Sequence, residues 1–297
     1  MISKRDGCHK KAWLIAVNFL MILASSVSMS APTAKVGLSA GLEAFRLKEF
    51  DSGGTRLLKE SGTRYVTTVF LDDGGTYAVQ GALLYRLEAS AYWGQVDYDG
   101  ISQSVDATQN NLALRSKTDY LGGHAEIILG YRFRPANGPR SLEAMGGLGA
   151  ASWNRSIRNA TAANGTPVSG IEENYNVYYG KIALGLNDFL PSSWRNHVQF
   201  GVKLPFRINE DVKLSKVGYD DDLTLQPGNT YSGFVKLLLE PRPKDDKSGN
   251  LLISVYYDGL RLNPSKAKTV TRNGSPVQVW QPESHMDIFG LQLGYRF

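Results

Sequence analysis

Cysteine is almost absent. The one cysteine among 297 residues is Cys8, so everything after it lacks thiols and can form neither a disulfide nor a thiolate metal site. Long apolar runs are absent as well. Past residue 30 no stretch approaches eighteen consecutive apolar residues, which excludes a helical membrane span there. Histidine is scarce: beyond residue 30 there are only His124, His197 and His285. The 42% hydrophobic content and mean hydropathy of -0.25 are those of an ordinary soluble chain, and that average hides a strong pattern.

An excess of positive charge is only nominally present. Lys4, Arg5, Lys10 and Lys11 precede the thirteen-residue stretch AWLIAVNFLMILA, Ala12 to Ala24, which only Asn18 interrupts, and small residues follow at Ser28 and Ser30. A basic start, a short apolar run and a small-x-small exit predict a secretory signal over 1–30, cleaved near Ser30, with residues 31–297 as one domain. Taking its four bases and one acid from totals of 33 and 28 leaves 29 against 27, a formal +2 in place of +5. That balance gives no reason to expect a nucleic-acid partner. Cys8 precedes the apolar run, so it is not placed for lipid attachment.

Period-2 alternation is what the rest of the chain contains. Val36, Leu38, Ala40 and Leu42 alternate with Gly37, Ser39 and Gly41; odd positions from Tyr77 to Trp93 are apolar or small, against Gln80, Arg86, Glu88 and Ser90. Leu121, Ala125, Ile127, Leu129, Tyr131 and Phe133 oppose His124, Glu126 and Arg132, and Val198 to Phe206 repeats the pattern against Gln199 and Lys203. Such strands have one apolar and one polar face. In a soluble sandwich the apolar face turns inward. Here the apolar faces are framed by aromatics at strand ends, which is what an outer face meeting lipid needs at the hydrocarbon boundary.

The chain ends DIFGLQLGYRF, with Phe289, Leu291, Leu293, Tyr295 and Phe297 in one alternating row. This resembles the last strand of bacterial outer-membrane β-barrels. The resemblance implies an all-β, closed, antiparallel transmembrane barrel in a Gram-negative outer membrane. It also implies that Phe297, Tyr295 and Leu293 serve as the mark read by the barrel-assembly machinery.

Turn chemistry separates ten strands at roughly 35–47, 63–72, 76–98, 118–134, 140–157, 173–187, 196–207, 229–240, 250–263 and 285–297. Tight connections are expected at 72–75, 134–140, 187–195 and 242–250, facing the periplasm; long loops are expected near 48–62, 99–117, 158–172, 208–228 and 264–284, facing outside. Twelve strands is the competing count, if the long third strand or the 208–228 loop hides a hairpin. That third strand exceeds the ten or so residues a span requires, so the wall is expected to continue beyond the membrane on the outer side.

The alternation turns Glu43, Arg64, Arg86, Glu88, His124, Glu126, Arg132, Lys181, Lys203, Arg207, Lys236, Glu240, Asp258 and Arg296 into the lumen. A ten-stranded barrel is only slightly wider than one filled by its own side chains. These charges are therefore expected to pair across it and close it; a narrow, weakly anion-preferring pathway is the other reading.

Length and strand count also resemble the omptins, outer-membrane proteases whose site lies at the extracellular rim. The resemblance implies that Asp97 and Asp99 in QVDYDG stand where that family has its acidic pair. The opposite loop, KVGYDDDLTLQPG, has Asp220, Asp221 and Asp222 but no histidine, so the family's Asp-x-His dyad is not reproduced. His285 with Asp287 two residues on shares a strand face and is the remaining acid-base candidate, with surface hydrogen bonding as the bland alternative. Ser284 points to the other face, against a nucleophile-base contact. The acidic run with Asp211 lacks EF-hand spacing and reads as a solvated loop, so neither metal nor cofactor is expected. Asn154, Asn159 and Asn164 match a glycosylation pattern without weight in a bacterial barrel.

The function expected first is a non-enzymatic surface barrel whose lumen is closed by charge pairs and whose loops contact ligands, lipopolysaccharide or other cells. A rim hydrolase acting on peptides or lipid A, and a narrow passive channel, are the alternatives. Expected partners are outer-membrane lipid, lipopolysaccharide and the assembly machinery.

Overall fold

The computed structural model describes residues 35–72, 82–102, 112–133, 140–190, 193–242 and 250–297. The expected signal at 1–30, Cys8, Tyr77 and the tight connections at 72–75, 134–140 and 242–250 lie wholly or largely outside the described residues.

Ten long strands form the wall: β1 (Lys35–Phe50), β2 (Arg56–Asp72), β3 (Ala82–Ile101), β4 (Ala113–Phe133), β5 (Ser141–Ile157), β6 (Glu172–Asn187), β7 (Trp194–Val212), β8 (Ser232–Pro241), β9 (Asn250–Asn263) and β10 (Glu283–Arg296). Each pairs antiparallel with its sequence neighbours. β10 then pairs with β1, from Gly37 opposite Arg296 to Phe50 opposite Glu283, and the sheet closes. Closure is required in hydrocarbon, where each unpaired backbone group costs several kcal/mol. Among the described residues the wall therefore has ten strands, with two short strands added to its sheet, Leu223–Leu225 on β7 and Gly228–Asn229 on β9, and separate two-stranded pieces in the loops.

The alternation decides which face meets lipid. On β10 Phe289, Leu291 and Leu293 are 55%, 54% and 59% exposed, whereas Gln292 and Arg296 are 6% and 8% exposed. The apolar row faces out. Leu38 and Leu42, Ile127 and Leu129, Leu142 and Leu148, Ile182 and Leu184, and Val202 and Leu204 continue this belt around the barrel. Aromatic pairs border it: Tyr131 with Phe133 at 4.7 Å and Tyr295 with Phe297 at 5.1 Å near Lys35 and Phe297, the termini of the wall, and Tyr65 with Trp93 at 6.0 Å and Tyr257 with Phe289 at 4.9 Å at the other edge. A span uses about nine to eleven residues. β3 and β4 have 20 and 21, so the wall continues well past the belt at the end away from the termini, called here the loop end.

Several boundaries differ from the sequence expectation. β1 and β2 run to Phe50 and from Arg56, so the long loop expected at 48–62 shrinks to residues 51–55, where Asp51 Oδ1 accepts from Gly53 N at 2.9 Å and Thr55 N at 2.7 Å. Within the 264–284 loop, Lys268–Arg272 and Ser275–Val279 form a hairpin. Its turn residues Asn273 and Gly274 have φ of 50° and 73°, the two positive values a type I′ turn needs.

A bulge corrects one lumen assignment. Tyr178 pairs with Arg207 and Tyr179 with Pro205, leaving Phe206 as an extra residue. One added residue reverses the facing of everything beyond it. Lys203 points inward, Arg207 is exposed on the outer surface, and Ile208 and Glu210 take the inward positions.

Candidate functional site

Inward side chains form three levels. Near the termini, Arg296 donates from Nη1 to Glu240 Oε2 at 2.6 Å and from Nη2 to Asp72 Oδ2 at 3.1 Å. Arg86 also reaches Asp72, at 3.4 Å. Arg132 Nε donates to Glu143 Oε1 at 2.7 Å, and His197 Nε2 lies 3.2 Å from Glu143 Oε2.

At mid-height Glu88 meets Lys236 at 2.7 Å, Arg86 at 3.9 Å and His124 at 4.0 Å. Glu126 accepts from Lys181 Nζ at 2.6 Å and Tyr179 OH at 2.7 Å, with Lys203 at 3.7 Å. Lys203 in turn donates to Asp258 Oδ2 at 2.6 Å. Arg64 binds Glu43 at 2.7 Å, and its guanidinium lies 4.2 Å from the ring centres of Phe45 and Tyr92. Glu88, His124, Glu126, Lys203, Lys236 and Asp258 line a cavity of about 50 Å3, enough for a few waters. Room for the larger rings comes from glycine: a Cβ on Gly290 would sit 2.1 Å from the Tyr256 ring, and one on Gly149 2.4 Å from that of Tyr179.

Above this level a buried apolar collar crosses the lumen, made of Phe45, Val66, Tyr92, Tyr120, Trp153 and Tyr175 among others. Trp153 stacks on Tyr175 at 4.8 Å. Above the collar, outside the span, Arg155 sits among glutamates. Its Nη2 donates to Glu60 Oε1 at 2.7 Å, and its Nη1 donates to Glu173 Oε2 at 2.7 Å and to Glu49 Oε1 at 3.0 Å. Thr118 and Tyr120 complete the shell of Glu60, and Gln281 donates to Glu49 at 3.3 Å. Burial pushes Glu49 up to about 7, with Glu173 and Glu60 adding to the rise and Arg155 opposing it.

The rim candidates do not converge. Asp97 faces outward and pairs with Lys117, while Asp99 lies 3.9 Å from Arg56. His285 bonds Glu283 at 2.8 Å and packs on Phe50 at 5.0 Å. It does not bond Asp287, which accepts from Arg46 at 2.9 Å, Arg261 at 2.5 Å and Tyr257 OH at 2.9 Å. Partial burial alone would raise the Asp287 carboxyl, but those hydrogen bonds hold it down at about 2. His285, Lys48, Lys59 and Asp99 form one cross-strand row, so His285 and Asp99 are three strand spacings apart on a convex wall, roughly 14 Å. The acidic loop is tied down by its own chain: Asp222 accepts from Ser215 Oγ at 2.7 Å and Lys213 Nζ at 3.0 Å, and Asp211 accepts from Thr224 at 2.6 Å.

The residues of the Arg155 cluster escape the sequence reading. Glu49, Glu60 and Glu210 fall in segments read as loops, and the signal that finds them is the same alternation carried past the belt.

No family model matches the chain, and no curated protein matches it. Among solved structures, the outer membrane protease OmpT from Escherichia coli superposes with a TM-score of 0.54 at 10% identity, covering 91% of this chain and 98% of that one. The transport unit of the autotransporter AIDA-I from Escherichia coli gives 0.43 at 10% identity over 94% and 97%, and the beta domain of the Bordetella autotransporter BrkA gives 0.40 at 13% over 88% and 98%. At such identities the OmpT superposition bears on the fold alone. Together with the closed wall and its lipid-facing belt, it makes this chain a ten-stranded β-barrel of the bacterial outer-membrane type.

Proposed function

We propose that the chain is a non-enzymatic surface barrel of a Gram-negative outer membrane, sealed along its axis, with its termini toward the periplasm and its loop end at the cell surface. The observation that carries this reading is the filled lumen: paired charges at two levels, then an aromatic collar, then the Arg155 cluster. Side chains meeting across the lumen at each of these levels support a sealed axis. The outer wall just above the belt supports contact with anionic lipid such as lipopolysaccharide, because Arg46, Lys48, Lys59 and Arg261 gather there. The terminal Leu293, Tyr295 and Phe297 row is the proposed contact for the assembly machinery.

Purified barrel in planar bilayers is expected to give no conductance steps. Steps that Arg132→Ala or Lys203→Ala alters would replace this reading by the channel. Turnover of peptide or lipid A that Asp97→Asn or His285→Ala abolishes would replace it by a rim hydrolase.

A further inference from the structure

The Arg155 cluster sets one phenol against two carboxyl groups. The Tyr175 phenol oxygen lies 3.2 Å from Glu173 Oε2 and 3.0 Å from Glu210 Oε1. A phenol has one proton and two carboxylates have none, so both contacts can be hydrogen bonds at once only if one carboxyl is protonated. Glu173 is neutralised directly by Arg155 at 2.7 Å. Glu210 has no cationic partner among the described residues; it is 0% exposed, and its Oε2 meets no hydrogen-bond partner at all. A buried carboxylate in that state costs far more than a carboxylic acid.

The groups around Glu210 and Arg155 come from most of the wall. β1 supplies Glu49, β5 Arg155, and β6 Glu173 and Tyr175; around Arg155 itself stand Glu60 of β2, Tyr98 of β3 and Tyr120 of β4. β9 and β10 turn Leu260, Leu262, Ser284 and Met286 toward Arg155. Four carboxyl groups thus share one guanidinium. With all four ionised the buried cluster would have a formal charge of −3, and the attraction that joins β1 and β2 to β5 and β6 would be outweighed by repulsion.

We propose that this cluster is a proton-dependent lock on the loop end of the barrel. Glu210 carries a proton that it donates to the Tyr175 oxygen, Tyr175 donates in turn to Glu173, and Glu173 accepts from Arg155. Loss of the Glu210 proton to bulk base leaves a negative charge beside Glu173 and Glu49, and the strands around Arg155 open locally. Burial together with the Glu173 and Glu49 carboxylates holds the Glu210 proton well above the usual carboxylate range, so the lock weakens as pH rises from that range and opens once the proton is lost.

Infrared titration of the intact barrel in detergent tests the proton directly. The stretch of a protonated carboxyl group is expected to persist above the usual carboxylate range, to keep a component in Glu49→Gln and to lose that component in Glu210→Gln. Backbone hydrogen exchange over 173–177 and 208–212, compared at matched pH, tests the lock. The unmodified chain and Glu210→Gln are expected to exchange alike below the ordinary carboxylate range, with the unmodified chain gaining up to about tenfold per pH unit from there to the Glu210 transition and levelling off above it. No protonated-carboxyl band in the unmodified chain overturns the proposal even if Glu210→Gln does not fold. Equal exchange at all pH values overturns the lock while leaving the closed lumen untouched.

Discussion

Arg155 Nη2 lies 2.7 Å from Glu60 Oε1 although 95 residues separate the two, and the contact runs through the lumen because β5 and β2 are not neighbours in the wall. Such a buried pair adds little net stability over an apolar pair, yet removing one partner strands the other. Arg155→Met would leave Glu49, Glu60 and Glu173 buried without a cation. A loss of about 3–5 kcal/mol is expected, read as a lower urea midpoint. Lys117→Met, which removes an exposed partner of Asp97, is expected to leave the midpoint unchanged.

The Glu49 carboxyl makes stability depend on pH. Its folded-state value, about 7, exceeds its ordinary 4.5, so the folded barrel binds more protons than the unfolded chain between those limits. The stability associated with that proton is therefore fully present below about pH 4.5 and is lost as pH rises through about 7. Urea midpoints measured across this window are expected to fall in the unmodified chain and to fall less steeply in Glu49→Gln, where Glu210 alone still holds its proton.

The belt gives a prediction of opposite character. Leu291 is outward and central in its row on β10. Leu291→Arg is expected to cost roughly 2–4 kcal/mol by placing a guanidinium in hydrocarbon, measured by reversible unfolding into lipid vesicles.

Phe297 continues the closing seam, its N–H donating to Val36 O at 2.8 Å, and its ring packs on Tyr295. If this row is the assembly mark, Phe297→Ala lowers the yield of folded barrel in cells, seen as the heat-modifiable gel band. It leaves refolding of purified chain into detergent nearly unchanged, and that contrast separates recognition from stability.

Much of this fold is legible in the sequence because lipid imposes a one-sided chemistry on every strand. The rows at Leu121–Phe133 and Phe289–Phe297 therefore reveal strand type, facing and count. Past the belt both faces of the wall are polar, alternation loses contrast, and Glu49, Glu60 and Glu210 read as loop. The bulge at Phe206 is equally invisible, since Phe206 and Arg207 continue an acceptable apolar-polar order while the facing reverses. The Asn273-Gly274 hairpin lies inside the loop expected at 264–284 and is missed, although that dipeptide supplies the two positive φ values. Partners across the lumen are not legible either: alternation gives a residue its face, but the pairing of Lys203 with Asp258 depends on which strands the closed wall sets opposite each other.

Single-cysteine scanning of β10 tests the central claim, that oil faces out and charge faces in. With residues 31–297 free of native thiols, spin labels can be placed singly at 289 through 295 in lipid-reconstituted barrel. The account predicts high collision rates with dissolved oxygen at 289, 291, 293 and 295 and low rates at 290, 292 and 294. The reverse pattern, or no alternation, would contradict it.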